Sequence, residues 1–192
     1  MATLGPLTNI AMAIVMAPDI INNISQLVLM GGALSFGNIT PAAEFNIYSD
    51  PHAAHVVFEA GIKLTMINLD VTHQARATPE RLEAIRAIGN PAAVCVAGML
   101  DFYGEQYIEM FGEGAPLHDP CVIAYILRPH LFTGQEMRVD IEISSPLTIG
   151  RTVCDVHARN GQAGNANVLD KIDADGFFAL LRERLARLPK TD

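Results

Sequence analysis

Apolar and polar positions fall into blocks along the chain, and the boundaries between blocks carry consistent signals. Four pairs, Asp50-Pro51, Thr78-Pro79, Asn90-Pro91 and Asp119-Pro120, stand immediately before stretches whose apolar residues recur at helical spacing. A small polar side chain that can accept from unpaired N–H groups, followed by a proline that needs no partner, predicts a helix start at each pair. Residues 6–16 predict a further helix. Residues 174–187 predict the last, with Phe177, Phe178, Leu181, Leu185 and Leu188 at helical intervals. Residues 26–30 and 63–69 are short strand-like runs, each after a helix and before a loop, which is the alternation of a largely parallel α/β sheet. Residues 137–143 and 151–158 follow one another, alternate in polarity and are separated by Ser-Pro and Gly turn signals. They predict an antiparallel strand pair added to that sheet. The helix over 6–16 lacks a polar face, since Leu7, Ile10, Ile14, Val15 and Met16 surround it, and such a helix is expected to be buried on every side.

Composition narrows this picture. No repeat, low-complexity tract or linker interrupts the 192 residues, which read as one continuous unit. Half the residues are apolar and 18% are charged, a globular balance. The net charge of −8, with no Lys/Arg cluster, argues against nucleic acid and against an anionic membrane surface as partners. The longest apolar run, residues 10–17, is far short of the ~18 needed for a membrane span. Three widely spaced cysteines, Cys95, Cys121 and Cys154, read as buried free thiols of a reducing compartment. With no basic segment ahead of the first apolar stretch, a cytoplasmic location is the expectation.

Ligands of an open α/β sheet bind beyond the carboxyl ends of its strands, which directs attention to the loop after Met30. That loop opens with Gly31-Gly32 and then places Asn38, Glu44 and Asn46 within nine positions. Their mixed donors and acceptors suit the vicinal hydroxyls of a sugar, or equally the backbone of the loop itself. No helix follows Gly32, so a phosphate cradle is a poor reading. In Leu117-His118-Asp119-Pro120, Asp119 reads either as a helix cap or as an oxygen ligand for a hard cation. His118 reads as a general acid or as a structural histidine. Asp70-Val71-Thr72-His73 follows a strand end and is either pocket lining or a turn. Phe102, Tyr103 and Tyr107 lie on the long helix opened by Pro91, either in the core or at the mouth of a site. CxxC, HExxH, GxSxG and P-loop patterns are absent, which removes the zinc hydrolase, serine esterase and nucleoside triphosphatase readings.

Taken in order, Gly5-Pro6-Leu7-Thr8-Asn9-Ile10, the Met30-Gly31-Gly32 loop through Asn38-Ile39-Thr40-Pro41-Ala42-Ala43-Glu44-Phe45-Asn46, and Leu117-His118-Asp119-Pro120 resemble the inosine-uridine preferring nucleoside hydrolases over essentially the whole chain. The resemblance implies an open, mostly parallel α/β sheet flanked by helices. It also implies calcium-dependent hydrolysis of the N-glycosidic bond of a ribonucleoside, giving ribose and a free base, in a homo-oligomer. By position it makes Asn38, Glu44 and Asn46 ribose binders, with Met30 packed near the sugar. His118 becomes the proton source at the leaving base, and Tyr107 or Tyr103 an aromatic over that base. Asp119 and the backbone carbonyl of Leu4 become calcium ligands.

The chain departs from the family in lacking the Asp-x-Asp-Pro-Gly-x-Asp-Asp signature, which supplies further calcium ligands and the base that activates water. It therefore resembles the C-terminal part of a family member, beginning inside a strand that ends near Leu4. Loss of a general base alone costs about 10²–10⁴ in rate. The expectation is a polypeptide inactive alone and completed by an N-terminal segment. The alternative is a non-catalytic sugar- or nucleoside-binding or subunit-interface module.

Overall fold

The computed structural model describes residues 1–112 and 114–190. In chain order its elements are β1 (Ala2–Thr3), α1 (Thr8–Met16), β2 (Leu27–Met30), α2 (Phe45–Ser49), α3 (Pro51–Glu59), β3 (Leu64–Ile67), α4 (Leu69–Thr72), α5 (Pro79–Arg86), α6 (Pro91–Phe111), α7 (Pro120–Leu127), β4 (Phe132–Met137), β5 (Val139–Ile141), β6 (Thr152–Cys154), β7 (Ala166–Ile172) and α8 (Ala174–Ala186). They form two compact units. One comprises residues 1–71 and 132–171, and the other residues 72–131 with the chain from Ile172 onward.

The first unit is built on a five-stranded sheet in the order β1-β2-β3-β7-β4, with β1/β2, β2/β3 and β3/β7 parallel. Every residue of β2 and β3 is buried, as expected of parallel strands covered on both faces. Leu7 and Ala11, Val57 and Phe58 of α3, and Leu27, Leu29, Leu64, Met66 and Val168 of the sheet share one core. The α/β class and the mostly parallel sheet are therefore as expected, and β1 stands at one edge of that sheet.

Three details differ from the sequence reading. The strands β4 and β7 were not anticipated, because Thr133, Gln135 and Glu136 interrupt the first and Asn167, Asp170 and Lys171 the second. The antiparallel pair exists, with Val139, Asp140 and Ile141 opposite Cys154, Val153 and Thr152, but as a separate two-stranded sheet. The side-chain amide of Asn165 occupies β5 instead, donating to Val139 O (3.0 Å) and accepting from Val139 N (2.8 Å). Finally, α1 is not buried all round: Ala11 is its one buried residue, while Val15 and Met16 are 63% and 78% exposed.

The second unit packs α5 and α6 with α7 and α8. Asn90 caps α6 through Ala93 N (2.8 Å) and donates to Leu185 O (2.8 Å) at the end of α8, so one buried amide starts one helix and ties down another. Asp50 and Thr78 likewise cap α3 and α5. Cys121 is buried, Cys154 is partly so, and Cys95 is exposed on α6, against the expectation of burial for all three. Among the described residues no helix is long and apolar enough to cross a membrane.

Gly32 gives a stability test. Its φ is +77°, and a Cβ there would meet Thr152 Cγ2 at 2.7 Å. Thr152 Oγ1 in turn accepts from Ala33 N (2.9 Å) and donates to Ala33 O (2.7 Å). Gly32→Ala should cost about 2–4 kcal/mol, combining left-handed backbone strain with overpacking. Adding Thr152→Ser, which removes Cγ2 and keeps the hydroxyl, should recover part of the packing share, leaving the backbone cost of about 1–2 kcal/mol and the closer approach to Thr152 Oγ1 and Met66 Sδ. Urea unfolding of the single and double variants measures both; no recovery in the double variant would contradict the contact.

Candidate functional site

In the first unit, β2 delivers Met30, Gly31 and Gly32 to the sheet's carboxyl end, and the loop back to α2 is organised by one carboxylate. Glu44 is only 3% exposed. It accepts from Gly32 N (2.9 Å), Asn46 N (2.9 Å) and Ile47 N (3.3 Å), thereby capping α2 and holding the strand end at once. Asn46, also buried, donates from Nδ2 to Met30 O (3.0 Å) and contacts Met30 Sδ at 3.4 Å. Asn38 is exposed and accepts from Phe45 N (2.9 Å). Met30, Asn38, Glu44 and Asn46 are thus joined through short polar contacts around one loop. The bonds occupy the oxygen of Asn38 and the nitrogen of Asn46.

One further residue shapes this region. Asp70, in the short helix α4 that follows β3, accepts from Leu34 N (2.7 Å) and Ser35 N (3.2 Å) and fixes the start of the same loop. No local signal announces this bond, since its partners lie 36 and 35 residues away. Leu4 is exposed, one residue beyond β1.

In the second unit, α7 begins at Pro120, and the residue ahead of it does not cap it. Asp119 has helical backbone angles and makes no side-chain cap bond, which removes the simplest structural explanation for this carboxylate. Burial raises its pKa. Beside it, His118 Nδ1 lies 2.7 Å from Thr72 Oγ1, and its ring centroid is 5.7 Å from that of His73. Burial, then the charges of His73 and Arg76, push the His118 pKa down to about 4. At pH 7 the ring is therefore held predominantly neutral. It can offer a hydrogen bond but holds no ready proton.

His118 and Asp119 line a cavity of about 380 Å³ whose walls include Val96, Leu100 and Leu181. Tyr103 lines it too, its hydroxyl 3.2 Å from that of Tyr107, with the two rings tilted at 5.3 Å. Desolvation first, then the hydrogen bond and charge of Tyr107, and last Asp119, raise the Tyr103 pKa well above its ordinary value. An apolar cavity with a few convergent polar groups is the usual form of a small-molecule site.

The fit to a hard cation is incomplete. Such an ion takes six to eight oxygens. Among the described residues no three His, Cys, Asp or Glu side chains gather. Asp119, which makes no cap bond, has the right chemistry for one ligand but does not by itself make a site.

Comparison with known proteins places the chain in a defined neighbourhood. The family model described as inosine-uridine preferring nucleoside hydrolase matches residues 1–179. A pyrimidine-specific ribonucleoside hydrolase RihA of Shewanella woodyi is 52% identical over 183 residues, covering 94% of this chain and 59% of that protein. The RihA of Salmonella newport is 49% identical over 183 residues, with the same coverage. Among solved structures, a purine-preferring ribonucleoside hydrolase from Gardnerella vaginalis superposes with a TM-score of 0.87 at 35% identity, covering 96% of this chain and 59% of that one. A plant nucleoside hydrolase, PpNRh1, gives 0.89 at 27%, covering 97% and 62%. The chain thus spans about three-fifths of the length of the relatives it matches.

The depressed pKa of His118 has a stability consequence. The unfolded chain binds this proton near pH 6.5 and the folded one only near pH 4, so the contribution is whole above pH 6.5 and is lost as pH falls toward 4. In chelator, wild type should lose about 3 kcal/mol more than His118→Gln across that window. Parallel urea titrations of the two proteins measure the difference, and superimposable pH profiles would refute the assignment.

Proposed function

The chain belongs to the inosine-uridine preferring nucleoside hydrolase family, and from that premise we propose that it is the C-terminal part of a single nucleoside hydrolase-like domain that cleaves the N-glycosidic bond of pyrimidine ribonucleosides with calcium. One observation carries the reading: Asp119 stands at the start of α7 with no capping bond, next to a half-buried histidine and an apolar cavity. The pyrimidine preference is supported by relatives near 50% identity whose names specify pyrimidines, against 35% for the purine-preferring structure.

In this reading Asn38, Glu44 and Asn46 hold the ribose hydroxyls and Met30 packs by the sugar. Cleavage passes through an oxocarbenium-like state, for which firm hydroxyl contacts and help to the departing base both count. Glu44 is already fixed by three backbone N–H groups, so its oxygens meet a hydroxyl without reorganising. His118 serves the leaving base as a neutral hydrogen-bond donor, and Tyr103 or Tyr107 faces that base. Asp119 and Leu4 O are this chain's contribution to calcium. A bound calcium would orient the diol and acidify water, and the remaining ligands and the base come from an Asp-rich signature outside these 192 residues. A binding module is the second reading. It is favoured by the ribose loop being bonded within its own unit, which allows sugar binding without a metal.

The test is hydrolysis of uridine, cytidine and inosine, with and without calcium, by the 192 residues and by a form extended upstream through the signature. The extended form should turn over both pyrimidine nucleosides faster than inosine and lose activity in chelator or as Asp119→Ala, while the 192 residues alone should be inert. Turnover by the short chain in chelator would overturn the need for the signature. Inertness of the extended form, with calcium-independent ribose binding by calorimetry, would establish the module instead.

A further inference from the structure

The residue that fixes His118 is forty-six positions away and bears no catalytic motif. Thr72, the last residue of α4, is fully buried, and its hydroxyl sits 2.7 Å from His118 Nδ1. The approach is not incidental, because the segments that follow Thr72 and precede His118 are clamped backbone to backbone. Ala77 N donates to Ala115 O (2.9 Å) and Leu117 N to Ala75 O (2.9 Å), around a bridge between Arg76 and Pro116. Arg76 Nη1 adds a bond to Gly114 O (3.2 Å), and Ala75 N closes the turn on Thr72 O (3.0 Å). The distance between residues 72 and 118 is therefore set by main chain on both sides. A hydroxyl is both donor and acceptor, and what it does to a neutral imidazole decides which ring nitrogen keeps the proton.

We propose that Thr72 is a positioning residue for His118: its hydroxyl donates to Nδ1, leaving the ring proton on Nε2, the nitrogen available to a departing nucleobase. The Nε2–H form is also the one that free neutral histidine side chains favour, so the bond reinforces an existing preference. A ring held at one nitrogen has one orientation in the cavity that it lines with Asp119. The catalytic half of the inference rests on the reading that His118 acts at the leaving base, whereas the tautomer and orientation do not.

Two measurements separate these halves. Long-range ¹H–¹⁵N spectra of the 192-residue chain at pH 8 should show His118 as a single Nε2–H tautomer. Thr72→Val should give a mixture and Thr72→Ser should restore one form. In the extended, calcium-loaded form, Thr72→Val should lower kcat for uridine about 10- to 100-fold with KM little changed, and Thr72→Ser should lie near wild type. In a His118→Gln background the valine change should have no further effect. If the valine variant does not fold, Thr72→Cys, a weak donor of similar size, replaces it in both arms. A dominant Nδ1–H tautomer in wild type, or nitrogen shifts indifferent to the loss of the hydroxyl, would overturn the proposal. Equal losses in the serine and valine variants would do the same. An extended wild type without nucleoside turnover would overturn the hydrolase reading alone, and the nitrogen shifts would still decide the role of Thr72.

Discussion

The geometry of the first unit depends on what is done with one buried negative charge. A carboxylate taken out of water is costly unless its oxygens are met by donors, and Glu44 meets Gly32 N, Asn46 N and Ile47 N. Two of these belong to the helix start it caps and one to the strand end, so satisfying the charge also fixes the spacing between β2 and α2. Gly31 is closely hemmed in at the same place, since a Cβ there would lie 3.2 Å from Ile47 Cδ1 and 3.3 Å from Glu44 Oε2. With that spacing set, Asn46 reaches Met30 O, and the loop turns back so that Asn38 reaches Phe45 N.

Much of the fold is legible in the sequence because helix starts are local events. Asp50, Thr78 and Asn90 each accept from an N–H three residues on, as the polar-proline pairs predict. Parallel central strands are legible for a similar reason: burial on both faces leaves unbroken apolar runs such as Leu27–Met30. β7 escapes detection because its strand character comes from pairing with β3, a partner about a hundred residues away, and not from its own polarity pattern. The separate status of β5 and β6 is equally non-local, turning on a single amide, Asn165, that fills the bonding positions of Val139.

The site residues were legible in a different way. Asn38, Glu44 and Asn46 stand out as polar positions on a long loop, but spacing could not separate ligand binding from backbone bonding, and the structure has each making backbone bonds. Asp119 is the informative exception. It carries the same polar-proline signal as three true caps yet does not cap, because its own backbone is already helical. The failure of a local rule at that position is what sets it apart from the other three. Thr72 and Asp70 were visible only as part of a short polar stretch, since the partners that give them meaning lie 46 and 36 residues away.

The two units therefore prepare for a ligand in opposite ways. In the first, the polar side chains of the loop are bonded to its own backbone, so its shape exists before any ligand arrives and binding there has little ordering to offset. In the second, burial works against charge on both neighbours: the carboxyl of Asp119 is pushed toward its neutral form and His118 is held neutral. A cation placed at Asp119 would reverse the first of these effects, because an adjacent positive charge restores the carboxylate that burial disfavours. It would also disfavour protonation of His118 still further, by adding to the positive charge that already lowers its pKa. Metal binding and proton donation by a charged imidazolium are thus electrostatically opposed in adjacent residues. Under the proposed function, a neutral imidazole fixed by a hydroxyl would permit both groups to act at once.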